Sequence, residues 1–79
     1  MINIHKILID RLQRQGVDAK DSTAVLRDLS KILEWRPEID PAAASSKLQL
    51  LGWNGITLDY QSLQLALAWI EQRVPKEDT

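Results

Sequence analysis

Apolar side chains recur every three or four residues along most of the chain, and turn-forming residues divide this pattern into four segments. In the first segment, Ile4, Leu8 and Leu12 lie at helical spacing. Gly16 follows where a left-handed residue would close a helix in a Schellman ending. The pattern therefore predicts a first helix over residues 3–15.

A second apolar stripe predicts a helix over residues 19–36. Its start is ambiguous, because Asp18, Asp21 and Ser22 all have side chains suited to the N-cap. Its end is clearer. Pro37 pushes the residue before it out of the helical region, so the helix should stop there.

The third segment begins with an acceptor followed by a proline. Asp40 suits the N-cap, and Pro41 suits the first helical position, where its missing N–H is not needed. Three alanines then favour helix, and Gly52 repeats the glycine ending of the first segment. These signals predict a third helix over residues 41–51.

Residues 56–58 have the apolar–polar alternation of a short strand, but the chain offers no second strand to pair with them. Asp59 then suits an N-cap, with Leu58 and Leu63 spaced as a hydrophobic staple across it. The segment predicts a fourth helix over residues 60–74.

These elements predict an all-α fold, a compact four-helix domain that spans residues 1–79 as one unit. A polar tail at about residues 75–79 is expected to fray. The predicted core consists of Ile4, Leu8, Leu12, Val25, Leu29, Ile32, Leu33, Leu48, Leu51, Leu58, Leu63, Leu67 and Ile70.

Composition narrows the class of protein. The chain has 79 residues and no cysteine, and its net charge is −1. The missing cysteines exclude disulfides and thiolate metal sites, and the charge balance gives no general attraction to nucleic acid or an anionic membrane. The longest apolar run, residues 65–70, is too short to span a bilayer, and the first residues do not resemble a signal peptide. We therefore expect a soluble, cytoplasmic protein.

The sequence offers little to catalysis. His5 is the only imidazole, and it lies on the apolar face of the first helix without a neighbouring base or ligand, so a packed or interface-edge histidine is the preferred interpretation. The three glycines are explained by turns, and no spacing matches a phosphate loop or a metal site. We expect no enzyme activity, cofactor, metal ion or small-molecule ligand.

A helix-turn-helix formed by the last two helices is the alternative reading. The predicted connection, residues 52–58, is longer than the 3–4 residues of the usual motif. The second helix also lacks the cations needed to hold phosphates. Nucleic acid is therefore a less favoured partner. The polar side chains this helix would offer are Gln61, Ser62, Gln64, Glu71, Gln72 and Arg73.

Some apolar residues lie outside the helix faces that are predicted to form the core. At about 100° per residue, Leu65 and Trp69 fall on a second face of the fourth helix, opposite Leu63. Trp35 lies outside the apolar stripe of the second helix, and from residue 48 to residue 70 only Asp59 is charged. Two explanations stay open: the fourth helix is central and buried on both faces, or its second face is an oligomer interface.

The preferred hypothesis is a non-catalytic accessory or interaction module that acts through an apolar helical surface. We expect a two-fold homodimer whose interface includes Leu65 and Trp69, with Trp35 or Trp53 nearby, because so small a chain has few elements to cover both faces. A further protein partner is compatible with this hypothesis. A DNA-binding regulator with an atypical helix-turn-helix is the alternative.

Overall fold

The computed structural model describes residues 3–73, which contain helices and no strand. The helices are α1 (Ile4–Arg14), α2 (Ala19–Trp35), α3 (Pro41–Leu50) and α4 (Tyr60–Arg73). The all-α four-helix prediction is confirmed, and each described boundary lies within one residue of the predicted one. The predicted end of the fourth helix at residue 74 and the polar tail lie outside the described residues.

Aspartate side chains cap three of the helices. Asp18 is the residue that caps α2, since its Oδ1 accepts a hydrogen bond from the N–H of Asp21 at 2.8 Å. Asp40 accepts in the same way at the start of α3, at 2.8 Å, and Asp59 accepts from the N–H of Ser62 at 2.7 Å. Each carboxylate satisfies an N–H that the helix itself leaves unpaired.

Glycines close the first and third helices as predicted. Gly16 has a φ of 95°, and the N–H of Val17 donates to the carbonyl of Leu12 at 3.2 Å. The N–H of Trp53 donates to the carbonyl of Leu48 at 2.9 Å, again after a glycine at positive φ. Both are Schellman endings, so the chain leaves each helix in a direction set by local hydrogen bonds.

Helix α2 lies at the centre of the packing. It contacts α1, α3 and α4, while α1 and α4 also pack against each other and α3 packs mainly against α2. The buried apolar side chains within residues 3–73 are Leu8, Leu12, Val25, Leu26, Leu29, Ile32, Leu33, Ile39, Ala44, Leu48, Ile56, Leu58, Leu63 and Ala66.

Most of the predicted core is confirmed, with one error. Ile4, Leu67 and Ile70 are partly buried and pack against the core. Leu51 is wrong, because its side chain is 57% exposed. Ala44 and Leu48 fill the contact between α3 and α2, and α3 has no second helix in comparable contact that would cover Leu51.

Two buried isoleucines were missed. Ile39 and Ile56 lie in the connections before α3 and before α4, and both side chains belong to the core. Helical periodicity carries no information about a residue outside a helix, so only the three-dimensional path of the connection brings these side chains inside.

Candidate interaction surface

The four residues expected at an interface differ in exposure and in the elements that they contact. Trp35 ends α2 beside α3, and its side chain is 63% exposed. Trp53 lies in the connection after α3. On α4, Leu65 and Trp69 are half-buried and pack against the core of their own chain. The α4 pair therefore packs within its own chain, whereas Trp35 faces solvent.

The α4 pair is partly covered from within the chain. The ring centroids of Trp69 and His5 are 5.5 Å apart, with the planes tilted by 40°. This contact joins α4 to α1 and gives His5 the packed environment that its position on the apolar face indicates. Because α4 contacts both α1 and α2, part of its second apolar face is used inside the monomer.

A hydrogen bond from Trp53 links the connection between α3 and α4 to the central helix α2. Its indole Nε1–H donates to Oδ2 of Asp28 at 2.8 Å, and both side chains are half-buried. A charged acceptor in a partly desolvated place makes this one of the stronger hydrogen bonds in the fold. The geometry gives Trp53 a structural role in the monomer.

Trp35 carries two cations next to its ring. The guanidinium carbon of Arg36 lies 5.6 Å from the ring centroid, and Nζ of Lys47 lies 4.9 Å from it. Both are cation–π distances. Trp35, Arg36 and Lys47 also line a shallow depression together with Glu38, Ile39, Asp40 and Ala43.

A stripe on α3 extends this exposed region. Ala43, Lys47, Leu50 and Leu51 are spaced at i, i+4, i+7 and i+8, so they share one side of the helix. All four are exposed, and Leu50 is 82% exposed. We call these four residues together with Trp35 the Trp35 surface.

The Trp35 surface exists because α3 is apolar on more than one side. Ala44 and Leu48 face the core, whereas Leu50 and Leu51 do not. A helix with apolar residues all round is usually an inner helix. Here α3 packs mainly against one neighbour, so its other apolar residues face solvent.

Sequence reasoning missed Leu50 and misplaced Leu51. The signal that was present is the 23-residue span with one charge, from residue 48 to residue 70, which includes both leucines. The predicted interface drew on that span for Leu65 and Trp69 of α4, with Trp35 or Trp53 nearby, and did not include the last turn of α3, which also lies within it.

Within residues 3–73, an enclosed cavity between α1 and α2 is too small for a ligand. It is lined by Leu8, Arg11 and Leu58 among others and has a volume of about 10 Å³, about enough for one water molecule. Within the same residues, no group of three or more His, Asp or Glu side chains could hold a metal ion. None of the described helices combines the length and apolar character required to span a bilayer.

A polar cluster joins the start of α4 to α1. Nη1 of Arg11 lies 3.4 Å from the hydroxyl of Ser62 and 3.9 Å from the carboxylate of Asp59. The backbone N–H of Ser62, then its hydroxyl, and then the Arg11 charge hold the pKa of Asp59 below its ordinary value. These contacts are accounted for by helix capping and by packing of α4 on α1.

Comparison with known proteins adds no relative. The chain matches no protein-family model, no curated protein and no solved structure.

Proposed function

We propose that the protein is a non-catalytic interaction module that binds another protein through the Trp35 surface. The observation that supports this proposal is the exposure of Trp35, Leu50 and Leu51, together with the contact that links them, since Lys47 of the α3 stripe lies 4.9 Å from the centre of the Trp35 ring. Scattered single apolar residues are normal on protein surfaces, whereas a contiguous group is typical of binding sites.

The composition of the Trp35 surface suits a binding site. Tryptophan is among the residues that most often supply a large share of binding energy at interfaces. Leu50 and Leu51 add apolar area on α3, and Arg36 and Lys47 lie next to the indole ring. Aromatic residues and arginine are both enriched at protein interfaces.

The proposal assigns no catalytic residue and places the protein in the cytoplasm, as its composition favours. His5 is the only histidine of the chain. Its ring packs against Trp69, so we assign it a packing role.

A two-fold homodimer is our second proposal. It is supported by the low charge of α4 and by the partial exposure of Leu65 and Trp69. Because both side chains also pack on their own core, such a dimer would bury less area than the sequence alone indicates. Light scattering at micromolar concentration should give about twice 9.0 kDa, and a single chain's mass at all accessible concentrations would contradict the dimer.

The DNA-binding alternative has weaker support. The connection between α3 and α4 comprises residues 51–59, and α3 packs mainly on α2. The exposed residues of α4 before Arg73 include Gln61, Gln64 and Glu71 but no cation, although phosphate contacts require cations. Salt-dependent retention on a heparin column would favour this alternative over the interaction module.

A site-specific crosslink tests the interaction module. A photo-reactive benzoylphenylalanine at position 50 should give protein adducts in the native cell, and the adducts should be lost when Trp35 is changed to Ser. Position 7 is the matched control, because Ile7 is also an exposed apolar residue but lies on α1. Equal adducts at the two positions, or none at position 50, would contradict the proposal.

A further inference from the structure

We infer that Asn54 is a site of spontaneous covalent modification, at which the side-chain amide is lost and an aspartate or an isoaspartate is formed. Asn54 is followed by Gly55 in the connection between α3 and α4, and both residues are exposed. The inference goes beyond the proposed function and does not depend on the Trp35 surface.

The main-chain nitrogen of Gly55 is the nucleophile of this reaction. It attacks Cγ of Asn54, so that a new C–N bond closes a succinimide ring while the bond from Cγ to Nδ2 breaks. The proton of the Gly55 N–H leaves with the former side-chain amide as ammonia. Water then opens the ring. Addition of water at Cγ gives aspartate, whereas addition at the main-chain carbonyl carbon of Asn54 gives isoaspartate, in which the main chain runs through the former side chain.

Both reacting groups are free of hydrogen bonds to the rest of the described chain. Within residues 3–73, the N–H of Gly55 donates to no main-chain or side-chain oxygen, and the side-chain amide of Asn54 has no hydrogen-bond partner. The nitrogen is therefore open to deprotonation by solvent base. The side chain of Asn54 can also turn towards this nitrogen without breaking a hydrogen bond of the fold.

Gly55 leaves its nitrogen open to approach. A Cβ atom placed on Gly55 would meet no atom within 4 Å, and glycine has no side chain of its own to crowd the nitrogen. The φ of Gly55 is 83°, a left-handed value that glycine adopts without steric cost. The turn before α4 is thus made by the residue that hinders ring closure least.

Asn3, the other asparagine of the chain, differs in each of these respects. Its Oδ1 accepts the N–H of Lys6 at 3.1 Å as the N-cap of α1. Ile4 follows it, and a β-branched side chain is bulky and stiff next to the main chain. We therefore expect Asn3 to keep its amide, which makes it a control within the same molecule.

Incubation of the folded protein at neutral and mildly alkaline pH tests the inference. Peptide mass spectrometry follows the amide at both asparagines, and methyl transfer by an isoaspartyl methyltransferase detects isoaspartate. We expect the peptide that contains residue 54 to gain the mass that separates an acid from an amide, with isoaspartate among the products. The conversion should be faster at the higher pH, because the attacking nitrogen must lose its proton. The peptide that contains Asn3 should stay unchanged over the same time.

The matched variant is Asn54→Gln. It retains an amide at the same exposed position, but the additional methylene requires a larger ring, which closes more slowly. We expect no conversion at position 54 of this variant during the incubation. Circular dichroism before and after incubation shows whether the wild type and the variant stay folded, so that conversion is measured on the native chain.

An amide that persists at position 54 of the folded wild type would overturn the inference. If the same chain converts in guanidinium chloride, this result would show that the fold protects Asn54. Conversion at Asn3 to the same extent as at Asn54, or equal methyl transfer to the wild type and Asn54→Gln, would also overturn it, because the reaction would then not depend on the Asn54–Gly55 pair.

Discussion

The side-chain amide of Gln15 forms two hydrogen bonds with the main chain of Thr57. Its Nε2–H donates to the carbonyl of Thr57 at 2.8 Å, and its Oε1 accepts the N–H of Thr57 at 2.8 Å. This is the pair of bonds that a neighbouring β-strand would supply to an extended residue. Residues 56–58 belong to no helix or sheet, and the Gln15 side chain just after α1 satisfies both main-chain groups of Thr57.

Removing this amide should loosen the connection before α4. We expect Gln15→Ala to lower the free energy of unfolding by about 1–2 kcal/mol, because two hydrogen bonds of modest net value are lost. Gln15→Glu should also destabilise, since a carboxylate cannot donate to the carbonyl of Thr57. Urea denaturation provides the measurement, and Gln13→Ala, an exposed change on the same helix, is the control. Equal stability of Gln15→Ala and Gln13→Ala would contradict a structural role for these bonds.

The hydrogen bond between Trp53 and Asp28 should be energetically coupled. Trp53→Phe removes the indole donor, and Asp28→Asn removes the charge of the acceptor. We expect each change to cost about 1–2 kcal/mol and the double variant to cost less than the sum. A double-mutant cycle from urea denaturation measures the coupling. Strict additivity would show that the bond contributes nothing to stability.

Leu48 in α3 and Leu51 at its C-cap should differ sharply when truncated. Leu48→Ala leaves a cavity in the core and should cost about 2–5 kcal/mol. Leu51→Ala removes an exposed side chain and should change stability by less than about 0.5 kcal/mol. Thermal or urea unfolding of the two variants tests the exposure of Leu51. A large loss of stability in both variants would mean that Leu51 is a core residue.

Asp59 should contribute to stability in a pH-dependent way. Its pKa is lowered in the folded protein, chiefly by the N–H of Ser62. Its contribution is therefore fully present above the ordinary carboxyl pKa of about 3.9, and it is lost as the pH falls through the lower folded value. Asp59→Asn retains a capping side chain but removes the titrating group.

Urea midpoints compared between about pH 6 and about pH 3 measure this effect. The wild type should lose more stability over that interval than Asp59→Asn does, and Asp59→Ala should be less stable by about 1 kcal/mol near neutral pH because the cap is absent. Identical pH dependence in wild type and Asp59→Asn would show that the cap does not depend on ionisation of Asp59.

Local chemistry made the helices predictable. Asp40 followed by Pro41 marks the start of a helix whatever surrounds it, and Gly16 closes α1 through hydrogen bonds to its own last turn. The N-cap of α2 was the exception: the sequence allowed Asp18, Asp21 or Ser22, and the structure shows that Asp18 caps this helix. Caps and periodicity act over four or five residues, so the sequence contains what is needed to place them.

Which apolar side chains are buried and which are exposed depended on which helices and connections pack against each other. Ile56 is buried in a connection that is hydrogen-bonded to two other parts of the fold. The side chain of Gln15 accepts the N–H of Thr57, and the hydroxyl of Ser45 accepts the N–H of Leu58. Leu51 has the spacing of a core residue and yet is exposed, because α3 packs mainly against one neighbour. The sequence by itself determined where the helices begin and end, since those signals are local. The tertiary structure alone decided which apolar sides are covered, because burial requires a second element, and periodicity does not specify which element that is.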